Sequence, residues 1–423
     1  MRVFFSGIGG VGIGPLAQIA QKAGYSIAGS DMTRSLTTDR LQNEGINVHV
    51  GDQTSDFLRE EHTREPFQYF VYTAALPRDH PELQAAHELG IMCLKRDGLL
   101  ARILKDKRLK MIAAAGTHGK TSTAGLLVWI LKQLGIPVSY SIGTTINFGP
   151  SGDYDPESEY FVYECDEYDR NFLHFMPELS LITSVDYDHP DTYPTVESYK
   201  DAFNAFIDQS SHTLMWRATE TLLEPTSSDI TVFDETIPLE HLHLAGSHLR
   251  HNAFLAERAV LRLFPNTPYH NLIAAINSFP GTDRRMEQLV DNLYSDYGHH
   301  PTEIAATLAG AKELSDHVVL VYQPHQNVRQ HLIQHEYTNE IFHNADEIYW
   351  LPTYLSRENP ALDVLTPEQL SAHLHDQHAV HAAEMNDELW DAIQSHLAEG
   401  HLVLAMGAGS IDEWLRDRLA NTN

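Results

Sequence analysis

Nine residues, Ala114-Ala115-Gly116-Thr117-His118-Gly119-Lys120-Thr121-Ser122, constrain this 423-residue chain more than any other stretch. The apolar run Met111-Ile112-Ala113-Ala114-Ala115 leads in with the composition of a buried strand, and Ala124-Gly125-Leu126-Leu127-Val128-Trp129-Ile130-Leu131 leads out as a buried helix. Strand, glycine loop and helix in that order are the context in which a backbone cradles phosphate. Small residues let several N–H groups converge on a polyphosphate, and the helix N-terminus adds partial positive charge. Gly116, Thr117, His118, Gly119 and Ser122 would line the cradle, Lys120 would reach the outer phosphates, and the Thr121 hydroxyl would ligate Mg²⁺. Ala114 stands where the strict G-x-x-x-x-G-K-[ST] pattern has its first glycine, so a chance turn ahead of a helix is the competing reading. The lysine and hydroxyl follow in register, which favours the phosphate loop.

The rest of the chain reads as α/β units around this loop. The first strand runs into Gly7-Ile8-Gly9-Gly10-Val11-Gly12-Ile13-Gly14, a helical stretch follows, and a second strand over Tyr25 to Gly29 delivers Ser30-Asp31. A phosphorylated ligand would sit at the first helix N-terminus against Gly9, Gly10 and Gly12, with Asp31 meeting a ribose or sugar hydroxyl; a plain structural turn is the alternative. Strands at Phe70-Val71-Tyr72 and Ile91-Met92-Cys93-Leu94 carry this domain to the basic stretch Leu104 to Arg108, which reads as a linker. Past the phosphate loop, the strand Tyr160-Phe161-Val162-Tyr163 ends in Glu164-Cys165-Asp166-Glu167-Tyr168-Asp169. The strand Leu179 to Val185 ends in Asp186-Tyr187-Asp188-His189-Pro190-Asp191. Acidic residues at two strand ends beside one phosphate loop suit a Mg²⁺-nucleotide, because hard cations take oxygen ligands, although either turn alone reads equally as solvated surface.

From Ser210 to Leu244 the pattern weakens, and a helix then runs to Leu263. A third α/β unit begins near Phe279-Pro280-Gly281-Thr282-Asp283-Arg284-Arg285. It continues through Ser295-Asp296-Tyr297-Gly298-His299-His300-Pro301, the strand Val318 to Tyr322 with Gln323-Pro324-His325, and a last strand Leu402 to Met406 closed by Gly407-Ala408-Gly409. The chain is thus α/β with domains expected over 1–108, 109–278 and 279–423.

Charge and cysteine count narrow the function classes. A net charge of −29 repels nucleic-acid backbones and anionic membranes, so neither is an expected partner. Two cysteines, Cys93 and Cys165, are too few for a disulfide framework, and no apolar run reaches the roughly 18 residues of a membrane span, so a cytoplasmic protein is expected. The 26 histidines gather at His241, His243, His248 and His251 and again at His373, His375, His378 and His381, and are read as mostly solvated surface.

Taken together, these blocks resemble the Mur ligase family across nearly the whole chain. The blocks are the G-x-G-G-x-G turn, Gly116-Thr117-His118-Gly119-Lys120-Thr121, Glu164-Cys165-Asp166-Glu167, Asp188-His189-Pro190-Asp191, Phe279-Pro280-Gly281 with Arg284-Arg285, and Asp296-Tyr297-Gly298-His299-His300-Pro301. The resemblance implies an N-terminal Rossmann-like domain gripping a UDP-sugar, a central P-loop ATPase domain and a C-terminal Rossmann-like domain that closes over the amino acid. The activity it implies is ATP-driven amide formation through an acyl phosphate, with ATP and Mg²⁺ as cofactors. The branch it is most similar to joins L-alanine to UDP-N-acetylmuramate in peptidoglycan synthesis, and a monomer or weak homodimer is expected.

Position by position, the resemblance gives Lys120 the β/γ-phosphates and Thr121, Glu164 and His189 the metal. Arg285 is implied to reach the γ-phosphate, Asp296 to hold the ATP ribose, and His248 with Asn252 to flank adenine. Tyr297, His325 and Arg329 fall on the sugar-lactyl and amino-acid side. Phe203 stands where several branches carry a carbamylated lysine, with Lys200 one turn earlier, so no carbamate is expected. Four positions depart from the family pattern: Ser184 and Leu249 replace asparagines, Ser295 an aspartate and Gln326 an arginine. A ligase that recycles an intact tripeptide, and a non-catalytic nucleotide-binding paralogue, stay open as alternatives at this point. A dehydrogenase is suggested only by the N-terminal glycines.

Overall fold

The computed structural model describes all residues except Val11, Ala74, Ala75, Asp191, Ser228, Arg357, 375–378 and Asn423. Val11 of the first glycine turn, Asp191 and the histidines His375 and His378 therefore lie outside the described residues. The chain forms two compact units, one of Met1–Pro238 with Ala253–Phe279 and one of Leu239–Asn252 with Pro280–Asn423.

The first unit holds two sheets. Strands β1 (Arg2–Ser6), β2 (Ser26–Asp31), β3 (Asn47–Val50), β4 (Tyr69–Tyr72) and β5 (Met92–Lys95) make a parallel sheet in the order β3-β2-β1-β4-β5. Strands β6 (Lys110–Ala115), β7 (Ser139–Ser141), β8 (Gly152–Asp153), β9 (Tyr160–Glu164), β10 (Leu179–Ile182), β11 (Thr213–Trp216) and β12 (Ile230–Phe233) make the second, in the order β12-β11-β10-β6-β9-β7-β8. Only β8 runs antiparallel to its neighbour there. In both sheets the order reverses beside the strand that carries a glycine turn, β1 in the first and β6 in the second. Such a reversal opens a crevice at the strands' C-terminal ends.

One apolar cluster binds the two sheets into a unit. It runs from Val3, Phe5 and Val71 through Leu99, Leu100 and Ile103 of the helix Arg96–Lys107 to Met111, Ala113 and Phe161. Burying side chains of this size stabilises by roughly 1.5–3 kcal/mol each. The stretch Leu104 to Arg108, expected as a linker, is instead the last turn of this helix. Leu104 is buried in the core, and Arg108 ends the helix in the left-handed conformation. Lysines and an arginine at a helix C-terminus suit the negative end of its dipole, which is why the same composition reads as a linker in sequence.

The second unit is built on one sheet, β13 (Glu287–Val290), β14 (Leu293–Asp296), β15 (Val318–Tyr322), β16 (Glu347–Trp350), β17 (Ala379–Ala382) and β18 (Leu402–Met406), in the order β13-β14-β18-β15-β16-β17. Apart from the antiparallel β13, the strands are parallel. The expected α/β class with three sheet-centred domains holds, with parallel pairing dominant throughout.

Candidate active site

The phosphate loop connects β6 to the helix Lys120–Gln133. Gly116 sits at φ +135, and a Cβ there would lie 2.3 Å from Thr183 Oγ1, so only glycine fits. Gly119 is the left-handed N-cap of the helix. The loop is tied to the end of β10: Thr117 N donates to Ser184 O (3.0 Å), His118 N donates to Ser184 Oγ (3.0 Å), and Thr183 Oγ1 donates to Ala115 O (3.1 Å). This explains why β10 stops at Ile182 when the apolar run continues to Val185. Thr183 still donates its backbone N–H to Ala115 O (2.9 Å), while its hydroxyl and that of Ser184 turn to hold the loop. Ser184, one of the four departures, thus supplies a hydroxyl to the loop backbone.

Lys120 Nζ donates to Gly116 O (2.6 Å), Thr117 O (3.1 Å) and Glu167 Oε2 (2.7 Å). Burial works against the Lys120 charge, but the carboxylates of Glu167, Asp166 and Glu164 outweigh it and hold the ammonium above its ordinary value. Burial raises the Glu167 carboxyl, and Lys120 overturns this, leaving Glu167 below the usual carboxylate range. The pair is ionised and buried.

The Thr121 hydroxyl donates to Glu164 Oε1 (2.7 Å), and the other oxygen, Oε2, accepts from Gly143 N (2.6 Å). A hydroxyl and a carboxylate meeting at the head of a phosphate-loop helix form an oxygen donor set, which fits a hard divalent cation such as Mg²⁺. His189 sits at φ 57 with Nε2 3.6 Å from Glu167 Oε1 and 3.9 Å from Asp188 Oδ2. Burial lowers its pKa, and the hydrogen bond to Glu167 together with the Asp188 charge reverses this, raising it above the ordinary value. Glu167 therefore links Lys120 to His189, while Thr121 and Glu164 meet each other directly. His118 Nε2 lies 3.2 Å from Asp186 Oδ2, and Thr117 Oγ1 accepts from Asp186 N (2.8 Å). Ser122 is buried in the first turn of the helix. Phe203, at the position of the absent lysine, is fully buried against Phe172 and Tyr199.

In the first sheet, Gly9 N donates to Asp31 Oδ2 (2.8 Å), so Asp31 pins the glycine turn at the end of β1. Gly10 bonds back to Gly7 O, and Gly12 caps the helix Ile13–Lys22. Two residues here escape a reading by sequence. A Cβ on Gly12 would lie 2.7 Å from Arg96 Nη1, which places a cation at this turn from 84 residues away in sequence. Glu82 is fully buried, accepts from Ser6 Oγ (2.6 Å) and has no partner at Oε1; burial raises its carboxyl pKa. Neither belongs to a local motif, and only the closing of the sheet brings them in.

In the second unit, both oxygens of the buried Asp296 accept backbone N–H groups, Oδ1 from Gly298 (2.7 Å) and Oδ2 from Met286 (2.8 Å). Asp296 thereby fixes the turn that carries Arg284 and Arg285. The guanidinium carbons of both arginines lie over the Tyr297 ring, at 4.7 Å and 5.2 Å. Arg284 also donates to Gly407 O (2.6 Å), and Arg285 Nη1 lies 4.0 Å from Glu303 Oε1. Arg329 Nη1 is 3.2 Å from His299 Nε2, and His325 stacks on Tyr354 with ring centroids 5.6 Å apart. Tyr297, His325 and Arg329 therefore gather around His299, a residue sequence reading passed over, whose pKa burial lowers to about 4. His248 and Asn252 lie one turn apart on the helix Ser247–Leu263, and burial takes His248 to about 4 as well.

The other departures also have structural partners. Ser295 Oγ donates to Asp412 Oδ1 (2.6 Å), and Gln326, at φ 61 ahead of the helix Asn327–Ile333, donates its backbone N–H to Tyr354 O (2.9 Å). Nothing in the structure explains Leu249.

Three family models match the chain in succession. They are described as Mur ligase family, catalytic domain, over residues 2–108, Mur ligase middle domain over 114–220, and Mur ligase, glutamate ligase domain, over 284–409. UDP-N-acetylmuramate–L-alanine ligase of Carboxydothermus hydrogenoformans is 31% identical, the alignment covering 98% of this chain and 95% of the relative. The enzyme of the same description from Chlorobium chlorochromatii is 30% identical over 97% and 95%. Among solved structures, the UDP-N-acetylmuramate-alanine ligase of Thermotoga maritima superposes with a TM-score of 0.75 over 100% of both chains at 21% identity, a likeness of fold.

Proposed function

The chain belongs to the Mur ligase family, and from that premise we propose that it is an ATP-dependent carboxylate–amine ligase joining L-alanine to the lactyl carboxylate of UDP-N-acetylmuramate. The observation that carries this reading is the phosphate loop with Lys120 held between its own carbonyls and Glu167, in a chain that aligns end to end with alanine-adding relatives.

The reaction has two steps. A carboxylate oxygen attacks the γ-phosphorus of ATP, giving an acyl phosphate and ADP. The alanine amine then attacks the acyl carbon, inorganic phosphate leaves, and the amine loses its proton. Negative charge builds on the phosphoryl oxygens in the first step, so the chain's part is to aim fixed positive charge and N–H groups at them. The N–H groups of the glycine loop cradle the phosphates, and Lys120 exchanges its bonds to Gly116 O and Thr117 O for bonds to the outer phosphates. Glu167 keeps that ammonium charged and aimed. Thr121 and Glu164 would hold Mg²⁺, with His189 as the third candidate; when bound, the ion neutralises charge between the β- and γ-phosphates.

In this reading the chain divides into 1–108 for the UDP-sugar, 109–278 for ATP and 279–423 for the amino acid. Gly9, Gly10, Gly12 and Asp31 serve the UDP-sugar. Arg285 serves the γ-phosphate, Asp296 the ribose, and His248 with Asn252 the adenine. Tyr297, His325 and Arg329 serve the acceptor side. The enzyme would work in the cytoplasm, where ATP is made and spent, as a monomer or weak homodimer. No described helix is long and apolar enough to cross a membrane.

Phosphate release measured with ATP and Mg²⁺ tests the proposal. Release is expected only when UDP-N-acetylmuramate and L-alanine are both present. Turnover with a tripeptide in place of alanine would replace it with the recycling reading, and ATP binding without release for either acceptor would overturn it.

A further inference from the structure

At the N-terminal edge of the third sheet, opposite the strand ends that carry Asp296, Gln323 and Gly407, the chain gathers histidines that the ligase reaction does not use. The helix Asp387–Ala398 ends there in a Schellman turn. Gly400, at φ +82, donates its N–H to Leu397 O (3.0 Å), and His401 N donates to His396 O (3.0 Å). These are the 5→2 and 6→1 bonds of that motif, which brings together the side chains three residues before the cap and two after it. Those positions usually hold an apolar pair. Here they hold His396 and His401, with Nδ1 atoms 3.1 Å apart.

We propose that this turn is a binding site for a divalent transition ion of the Zn²⁺ class, ligated by the imidazoles of His396 and His401 and by the Glu399 carboxylate, whose Oε2 stands 3.7 Å from His401 Nε2, with water completing the shell. Two ligands of a tetrahedral ion at about 2.0–2.1 Å are separated by roughly 3.3 Å, close to the spacing of the two Nδ1 atoms. One ligating atom from each of His396, Glu399 and His401 lies within 4.8 Å of the other two. The outer partners that a ligating histidine needs are also present. Tyr349 OH donates to Glu347 Oε1 (3.0 Å), so its oxygen accepts from His396 Nε2–H (3.2 Å), and Glu347 Oε2 stands 3.5 Å from the same nitrogen. With the proton fixed on Nε2, the Nδ1 lone pair of His396 faces His401. A carboxylate or hydroxyl behind the ring is the usual means of orienting a metal-binding imidazole and raising its basicity. His317, which ends just before β15, covers the other face of His401 with ring centroids 3.9 Å apart.

Imidazole with one carboxylate selects borderline ions over Mg²⁺, which prefers an all-oxygen shell, so the site is chemically distinct from the Thr121–Glu164 pair. An ion here would staple the end of Asp387–Ala398 to the start of β18. It would stabilise the second unit without touching the reacting groups.

Zn²⁺ titration of the full chain, with Mg²⁺ and ATP saturating, tests this together with the ligand-field absorption of Co²⁺. The wild type is expected to bind one Zn²⁺ more than His396→Asn/His401→Asn, to show tetrahedral Co²⁺ bands that the double variant lacks, and to melt higher with Zn²⁺ present. Glu347→Gln, which keeps all three ligands, is expected to weaken binding about tenfold or more by releasing the His396 ring. Glu399→Gln alters only an exposed turn residue and keeps the test valid if the double variant misfolds; it is expected to weaken Zn²⁺ at least tenfold. Equal Zn²⁺ stoichiometry in the wild type and the double variant, an unchanged Zn²⁺ affinity in Glu399→Gln, or no Co²⁺ bands in the wild type would overturn the proposal.

Discussion

Lys120 Nζ lies 2.7 Å from Glu167 Oε2, and the Glu167 side chain is only 1% exposed. The lysine of the glycine loop is thus paired with a buried carboxylate. Lys120→Ala is expected to lower phosphate release by at least 10²–10³-fold, the loss typical of one transition-state donor. It also leaves the buried Glu167 without its main counter-charge, with His189 (3.6 Å) and the Tyr199 hydroxyl (3.4 Å) beside it, and breaking a buried pair in this way costs about 3–5 kcal/mol. The double variant Lys120→Ala/Glu167→Gln should regain part of that stability in urea denaturation and none of the turnover. A fully active Lys120→Ala would rule out the phosphate-loop assignment.

Thr121 and Glu164 share a hydrogen bond at the head of the same helix. Glu164→Gln keeps the shape and removes the charge, so the Mg²⁺ concentration for half-maximal turnover should rise roughly tenfold or more, while thermal stability changes little. An unchanged Mg²⁺ dependence would take Glu164 out of the ion's shell.

Gly116 has no room for a methyl group and a backbone geometry that other residues avoid. Gly116→Ala is expected to destabilise the chain by roughly 1–3 kcal/mol through strain at that position and to push Thr183 and Ser184 away from the loop. ATP affinity should fall with stability, in contrast to Lys120→Ala, whose main effect is on turnover. Isothermal titration with a non-hydrolysable ATP analogue separates the two.

Glu82 is buried with its pKa raised above 4.5 by desolvation. The folded chain holds this proton more tightly than the unfolded chain, so its stabilising contribution is complete below pH 4.5 and is lost as pH rises through the folded pKa. Glu82→Gln cannot ionise. Its stability relative to the wild type should therefore increase steadily as pH climbs above 4.5, which denaturation at a series of pH values would detect. A difference independent of pH would mean that Glu82 is not desolvated.

The strand–loop–helix around Lys120 was legible because its pattern is written in contiguous residues. Gly116 through Ser122 combine backbone freedom, a lysine and a hydroxyl within one turn, and strand and helix patterns on either side leave one arrangement for them. The same locality made the acidic strand ends readable as partners of the loop. It misled at Leu104 to Arg108, where lysines and an arginine complementing a helix dipole look like a polar linker, and at Thr183 and Ser184, where an apolar run gives no sign that the hydroxyls turn to hold the loop.

What the sequence determined by itself is the order of three α/β units and the strand, glycine loop and helix around Lys120, since both rest on short-range periodicity and on residues adjacent in the chain. Only the tertiary structure decided which of the four carboxylates from Glu164 to Asp169 meets Lys120 and which meets Thr121. It also brought Arg96 to the first glycine turn, buried Glu82, and set His396 against His401 under Glu347 and Tyr349. These pairings depend on how strands and helices close over one another. A carboxylate or imidazole carries no local mark of the partner that packing will give it.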